Sequence, residues 1–263
     1  MPKKLLILAI ETSGRAGSAA IALGQNLLAE NTFSGPMRHS AELFGVVCNL
    51  LNRFDRKPKD IEHIYISIGP GSFTGLRIAA TLAKTMNLAN NAKIVAVDTL
   101  DVIAANVTTV AIENLPEFSS HEPRVTNHER IATILDAKRS QFFIAVYQRT
   151  SNKQRLSRAT SREATSNGIW NKILPDSLMT AQQFLDQFAC REKPIWLLGE
   201  GLVYYKDKFK ADGVYFLDEK LWTPRAAKVH LLGWRKAQAS QFEDPLTLQP
   251  TYLRRPDVKI KKQ

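Results

Sequence analysis

The stretch SIGPGSFTGLRIAATLAK, residues Ser67 to Lys84, joins a short apolar strand to a helix through three glycines. That is the layout a phosphate-binding loop of an α/β protein would have. The stretch is not a Walker loop, because no lysine follows Gly75 and the glycines at 69, 71 and 75 have the wrong spacing. Nor is it G-x-G-x-x-G, since Thr74 stands where the third glycine belongs. Two readings stay open. In one, backbone amides and the hydroxyls of Ser72 and Thr74 face an anion; in the other, Thr74 caps the helix of a plain connection. No Asp or Glu lies between Ile64 and Ala83, so the loop lacks the carboxylate with which kinases hold Mg²⁺ or activate a nucleophile.

Outward from this loop, Leu5–Ile10, Ser18–Leu23 and Leu27–Phe33 read as a three-stranded meander with SGRAG and GQN turns. A helix from about Ser40 to Phe54, strand Ile64–Ile68, the helix after the glycines, strand Lys93–Val97 and a helix from Thr99 complete βββαβαβα. Beyond a polar stretch from Glu113 to Glu129, strands Arg130–Leu135 and Phe142–Tyr147 flank DAKRSQ. A third strand is expected in the Ser/Arg-rich stretch around Lys153–Ala164. Helix Thr180–Ala189, strand Pro194–Leu198, a short helix from Leu202, strand Val214–Leu217 and a helix from Pro224 to about Gln241 follow. The order repeats, which predicts a duplicated βββαβαβα α/β fold of the actin, Hsp70 and sugar-kinase type. In it, Glu11, Thr12 and Ser13 of ETSGRAGS form either a phosphate turn or an ordinary hairpin, and GEG at 199–201 sits where an adenine-side loop belongs.

The 263 residues suit one large domain or two, and 44% hydrophobic with 23% charged residues describes a globular chain. A net charge of +11 attracts polyanions such as RNA. Much of it lies in Lys153, Arg155, Arg158 and Arg162 and in the tail Arg254, Arg255, Lys259, Lys261 and Lys262, where a solvated loop and a basic tail explain it equally well. Cys48 and Cys190 read as buried thiols of a reducing cytosol, without ligand spacing for zinc. The apolar run Leu5–Ile10 is too short for a signal peptide, and no stretch approaches the ~18 apolar residues of a membrane span. A cytoplasmic location is expected.

On a helical wheel the first helix carries an apolar arc of about 200°, twice the ~100° stripe that docks a helix on its own core. Phe44, Val47, Cys48 and Leu51 form the surplus. The next helix is apolar apart from a narrow stripe around Arg77, Thr81 and Lys84, and its alanines permit close approach. Such surplus is either buried within the chain or offered to a partner.

The segments ILAIETS, HSAELF, IGPGSFTGLRI, DAKRSQFFIAVY, LLGEG and PTYLRR occur in an order and spacing that resembles the TsaB (YeaZ) family along essentially the whole chain. The resemblance implies two actin-like lobes, residues 1–105 and 106–263, with the last helix packing back on the first lobe. It implies a non-catalytic subunit that heterodimerises with the catalytic subunit TsaD, together with the ATPase TsaE, in threonylcarbamoylation of adenosine 37 of tRNAs reading ANN codons. Alone, the chain is either a monomer or a homodimer, and the sequence leaves both open. On this basis Phe44, Val47, Cys48, Leu51, Arg77, Ala80 and Lys84 are expected at the partner interface. Glu11, Thr12, Ser13, Gly69, Gly71, Ser72 and Thr74 are expected in nucleotide-facing loops, with ATP or ADP held only at the interface of the complex. The catalytic paralogue carries a metal-binding His-x-x-x-His; here His39 is followed at 43 by Leu, and a lone histidine is short of ligands. No metal and no catalytic residue are therefore expected. The rival reading is an independent kinase of this fold or a metalloprotease-like enzyme. Residues 113–129 and 151–166 depart from the family pattern.

Overall fold

The computed structural model describes residues 5–33, 39–107, 130–149 and 170–254. The first half contains β1 (Leu6–Glu11), β2 (Ser18–Leu23), β3 (Asn26–Thr32), α1 (His39–Arg53), β4 (His63–Gly69), α2 (Phe73–Asn90), β5 (Lys93–Asp98) and α3 (Thr99–Ala104). The second contains β6 (Arg130–Asp136), β7 (Gln141–Arg149), β8 (Trp170–Thr180), α4 (Ala181–Phe188), β9 (Ile195–Leu198), α5 (Leu202–Tyr205), β10 (Val214–Phe216) and α6 (Ala226–Gln238).

Each half builds one five-stranded sheet, ordered β3-β2-β1-β4-β5 and β10-β9-β6-β7-β8. With β6 to β10 taking the places of β1 to β5, the two orders are the same. The central strand of each pairs antiparallel with the next strand in sequence and parallel with the fourth. This duplicated mixed sheet is the α/β arrangement that the repeated order of elements predicts. β1 is buried throughout because both its faces are covered. Leu6, Leu8 and Ile10 join the core beneath α1 and α2, while Ile7 and Ala9 meet Val229 and Leu232 of α6. The last helix thus packs on the first sheet. Between the halves, α3 turns Val102 and Ala105 toward the first sheet and Leu100, Ile103 and Ala104 toward the second. Asn106 extends the joint by donating from Nδ2 to the carbonyls of Leu221 and Thr223, each at 2.9 Å.

Two expectations need correction. The third strand of the second half is β8, not the stretch around Lys153–Ala164, which lies outside the described residues, as do residues 113–129 and the tail from 255. Among the described residues β8 pairs only with β7 and does so through register shifts. As an edge strand it tolerates Pro175 and Asp176, which had disguised it as a loop. The cysteines are exposed rather than buried, Cys48 on the outer face of α1 and Cys190 just after α4.

Lys172 of β8 ties the sheets together. Its ammonium lies 2.7 Å from Asp101 and from Asp176 and 3.9 Å from Asp98, and Tyr147 donates to Asp101 at 2.8 Å. Three carboxylates share one ammonium. Burial, reinforced by Asp98 and Asp101, pushes the Asp176 carboxyl up to about 6 against the pull of Lys172. A carboxyl raised on folding stabilises the protein below its unfolded pKa and loses that contribution as pH rises through the folded value. Urea unfolding should therefore show wild type losing stability relative to Asp176→Asn between pH 4 and 6. Parallel profiles would contradict this placement of the proton.

Candidate functional site

The glycine loop is shaped by the turn it rests on. A Cβ on Gly75 would stand 1.8 Å from the carbonyl oxygen of Thr12, and one on Gly71 would stand 2.5 Å from that of Ser13. Only glycine permits this approach. Thr12 Oγ1 donates to the Gly75 carbonyl at 2.8 Å, and the Ser72 amide donates to the Ser13 carbonyl at 2.8 Å. The N-cap of α2 is Ser72, not Thr74: its hydroxyl accepts from the Gly75 amide at 3.3 Å. Thr74 is exposed on the outer side of the helix. Glu11 is fully buried and its Oε1 accepts from the amide of Ser13 at 2.6 Å and from the Ser13 hydroxyl. Loss of water pushes the Glu11 carboxyl above its ordinary value, while the Ser13 hydrogen bonds oppose the rise. The structure thus brings Glu11, Thr12, Ser13, Gly69, Gly71 and Ser72 together, with the Thr12 hydroxyl and the Ser72 amide spent across the two loops and the Ser13 hydroxyl spent on Glu11.

Beside this joint the C-terminal segment crosses the loop. The Thr251 amide donates to the Ile68 carbonyl at 2.8 Å, and Tyr252 lies against Phe73 with ring centroids 5.1 Å apart. Arg77 sits 3.7 Å over the Phe73 ring and donates from Nε to the Tyr252 hydroxyl at 3.2 Å. Its guanidinium is held in place at the rim of a groove.

That groove, about 420 Å³, runs between α1 and α2 and is lined by Phe44, Phe73, Thr74, Arg77, Ile78, Thr81, Leu82 and Thr85. Phe44 is 62% exposed and, with Phe73, makes the mouth of the groove apolar. Of the residues expected at the interface, Phe44, Cys48 and Arg77 are exposed and Lys84 is half-buried. The remaining three need correction. Val47, Leu51 and Ala80 are buried in the core against the first sheet rather than exposed on the outer face. The wide apolar arc of α1 is divided: Leu43, Val47, Leu50 and Leu51 hold the helix on its sheet, leaving Phe44 and Cys48 outside. Ile78 and Leu82 belong to the apolar helix the sequence reading singled out, whereas it did not name Phe73 and Thr85. It also missed Tyr252, which no local pattern ties to α2.

Leu43 is wholly buried, so the position four residues after His39 faces the core. Among the described residues, no group of three His, Cys, Asp or Glu side chains is arranged to hold a metal ion. His63 and His230 are engaged within the core: His63 Nδ1 is 3.1 Å from the Tyr65 hydroxyl and His230 Nε2 is 2.9 Å from the Gly24 carbonyl. Burial holds both below the usual histidine range.

A sequence-family model described as TsaD, tRNA N6-adenosine threonylcarbamoyltransferase, matches residues 27–171, just over half of the chain. The tRNA threonylcarbamoyladenosine biosynthesis protein TsaB of Bacillus subtilis is 28% identical over 98% of this chain and 97% of its own length. The chain belongs to the TsaB (YeaZ) family. The Escherichia coli TsaB protein is 22% identical over 94% of both chains. YeaZ from Pseudomonas aeruginosa superimposes with a TM-score of 0.69 at 19% identity, covering 95% of this chain and all of that one. Among the described residues no helix is long and apolar enough to cross a membrane.

The division of α1 gives two opposite outcomes in urea unfolding. Phe44→Asp should shift stability by no more than about 0.5 kcal/mol, whereas Leu51→Arg should cost on the order of 4 kcal/mol or more by burying a charge. Equal losses would contradict the division. Gly75→Ala should cost at least about 2 kcal/mol, because Thr12 opposes the new methyl with backbone that cannot rotate away; an unchanged midpoint would contradict the contact.

Proposed function

We propose that this chain is the non-catalytic partner of a TsaD-type catalytic subunit and supports threonylcarbamoylation of adenosine 37 in tRNAs reading ANN codons. Its place in the biosynthesis of that nucleoside is supported by its TsaB relatives. The observation that carries the docking role is the groove between α1 and α2, with Phe44 standing out of it and Arg77 fixed at its rim. An aromatic anchor beside an oriented guanidinium is the composition of an interface centre, where a few such residues supply most of the affinity. When the chain is alone, the same face pairs two copies.

The non-catalytic reading is supported by residues rather than by fold. The glycine loop between Ile64 and Ala83 carries no carboxylate, and Leu43 occupies a core position where the catalytic paralogue would need its second histidine. ATP or ADP belongs at the interface of the complex, the ATPase TsaE acts on that complex, and tRNA is reached through it. The setting is the cytoplasm.

The test is co-purification with TsaD and assay of tRNA modification with each subunit omitted. Modification should disappear without this chain and should not arise from this chain alone. Phe44→Asp should remain folded, fail to co-purify and lower modification by at least about tenfold, the loss of one aromatic anchor. Full modification without this chain would overturn the reading, as would threonylcarbamoylation or ATP turnover by the isolated chain.

A further inference from the structure

The turn between β1 and β2 presents the backbone amides of Arg15 and Ala16 to an anion, and that anion is supplied by the other half of the chain. Glu200, in the loop between β9 and α5, accepts from the Arg15 amide through Oε2 at 2.7 Å. The Ala16 amide and the Thr223 hydroxyl also favour the charged form of this carboxylate, against the burial that raises its pKa. Glu200 is only 8% exposed. The approach is close enough that a Cβ on Gly14 would meet Oε2 at 2.9 Å. Successive amides converging on one negative group form the concave backbone site that elsewhere receives phosphate.

The loop is built to deliver this side chain. Gly199 has φ +124°, and a Cβ there would lie 2.2 Å from the Ile134 carbonyl oxygen. The Gly201 amide donates to that same carbonyl at 3.0 Å. Glycine on both sides lets the loop sink against the end of β6 and send the intervening carboxylate across the cleft. The Arg15 guanidinium makes a second contact in the same direction, 4.6 Å over the Tyr204 ring.

We propose that Glu200 is a built-in anion that occupies the phosphate turn at Arg15 and Ala16, fastens the two lobes and excludes nucleotide phosphates from this chain's own cleft. A phosphate and a carboxylate within about 4 Å repel, and the two amides cannot serve both. The contact is independent of the partner assigned above, so failure of either reading leaves the other standing.

The experiment uses the full chain and follows the Arg15 and Ala16 amides by NMR, first for hydrogen exchange and then during titration with ADP and with inorganic pyrophosphate. In wild type the Arg15 amide is protected, and neither probe moves either resonance with a Kd below about 1 mM. Glu200→Ala should lose protection at Arg15 by at least about tenfold and gain a saturable shift at both amides with pyrophosphate. Glu200→Gln, which keeps the shape and removes the charge, should lose protection to a lesser degree. Unchanged exchange at Arg15 in Glu200→Ala would overturn the proposal, as would loss of protection without uptake of either probe. Should both variants fail to fold, saturable binding of ADP at these amides in wild type would overturn it on its own, and its absence beside a protected Arg15 amide would support it.

Discussion

The backbone contact between Gly75 and Thr12 sets the direction in which α2 leaves the first sheet, and the placement of the α1–α2 face depends on it. Two strands side by side in a parallel arrangement leave their following loops adjacent, but side chains normally keep those loops apart. Here glycine at 71 and 75 lets the loop after β4 rest directly on the turn after β1, with Thr12 and Ser13 hydrogen-bonded across the gap. Once α2 is fixed at its start, its inner side buries Ala79, Leu82 and Ala83 against the sheet and its outer side meets α1 along the groove. A loop with the outline of a phosphate site has become a structural joint.

That substitution of purpose recurs between the halves. Between its two sheets this chain places Glu200 on the β1–β2 turn, Asn106 on the segment before α6, and Lys172 among three carboxylates of both halves. Each contact spans the two sheets and each is at least partly withdrawn from water, so electrostatic attraction acts at low effective dielectric. The cost is visible in the Asp176 carboxyl, which burial keeps well above its ordinary value. These contacts join the two sheets behind the α1–α2 face.

The order of elements was legible because apolar runs of strand length alternate with helix-period segments and glycine-bearing turns; both sheets follow from it. The loop after β4 was legible as special, yet its role was not, since no local pattern says that Gly75 meets Thr12, 63 residues away. β8 was hidden because an edge strand need bury only part of one face and can carry Pro175. On α1 the apolar arc was real, but a wheel cannot tell which flank the sheet covers: Leu51 lies inside and Phe44 outside. GEG at 199–201 and PTYLRR were legible as segments, but the contacts of Glu200 and Tyr252, like that of Gly75, were not, their partners being set by the fold rather than by neighbours in sequence.

If the face formed by α1 and α2 receives the catalytic partner, the two exposed cysteines report it most directly. Cys48 lies one turn from Phe44 on α1, whereas Cys190 lies after α4 on the other half. Their alkylation rates, followed by mass spectrometry with and without saturating TsaD, separate the two surfaces. TsaD should slow labelling of Cys48 by about tenfold or more and leave Cys190 unchanged. Slowing at Cys190 with Cys48 unaffected would contradict docking on α1 and α2.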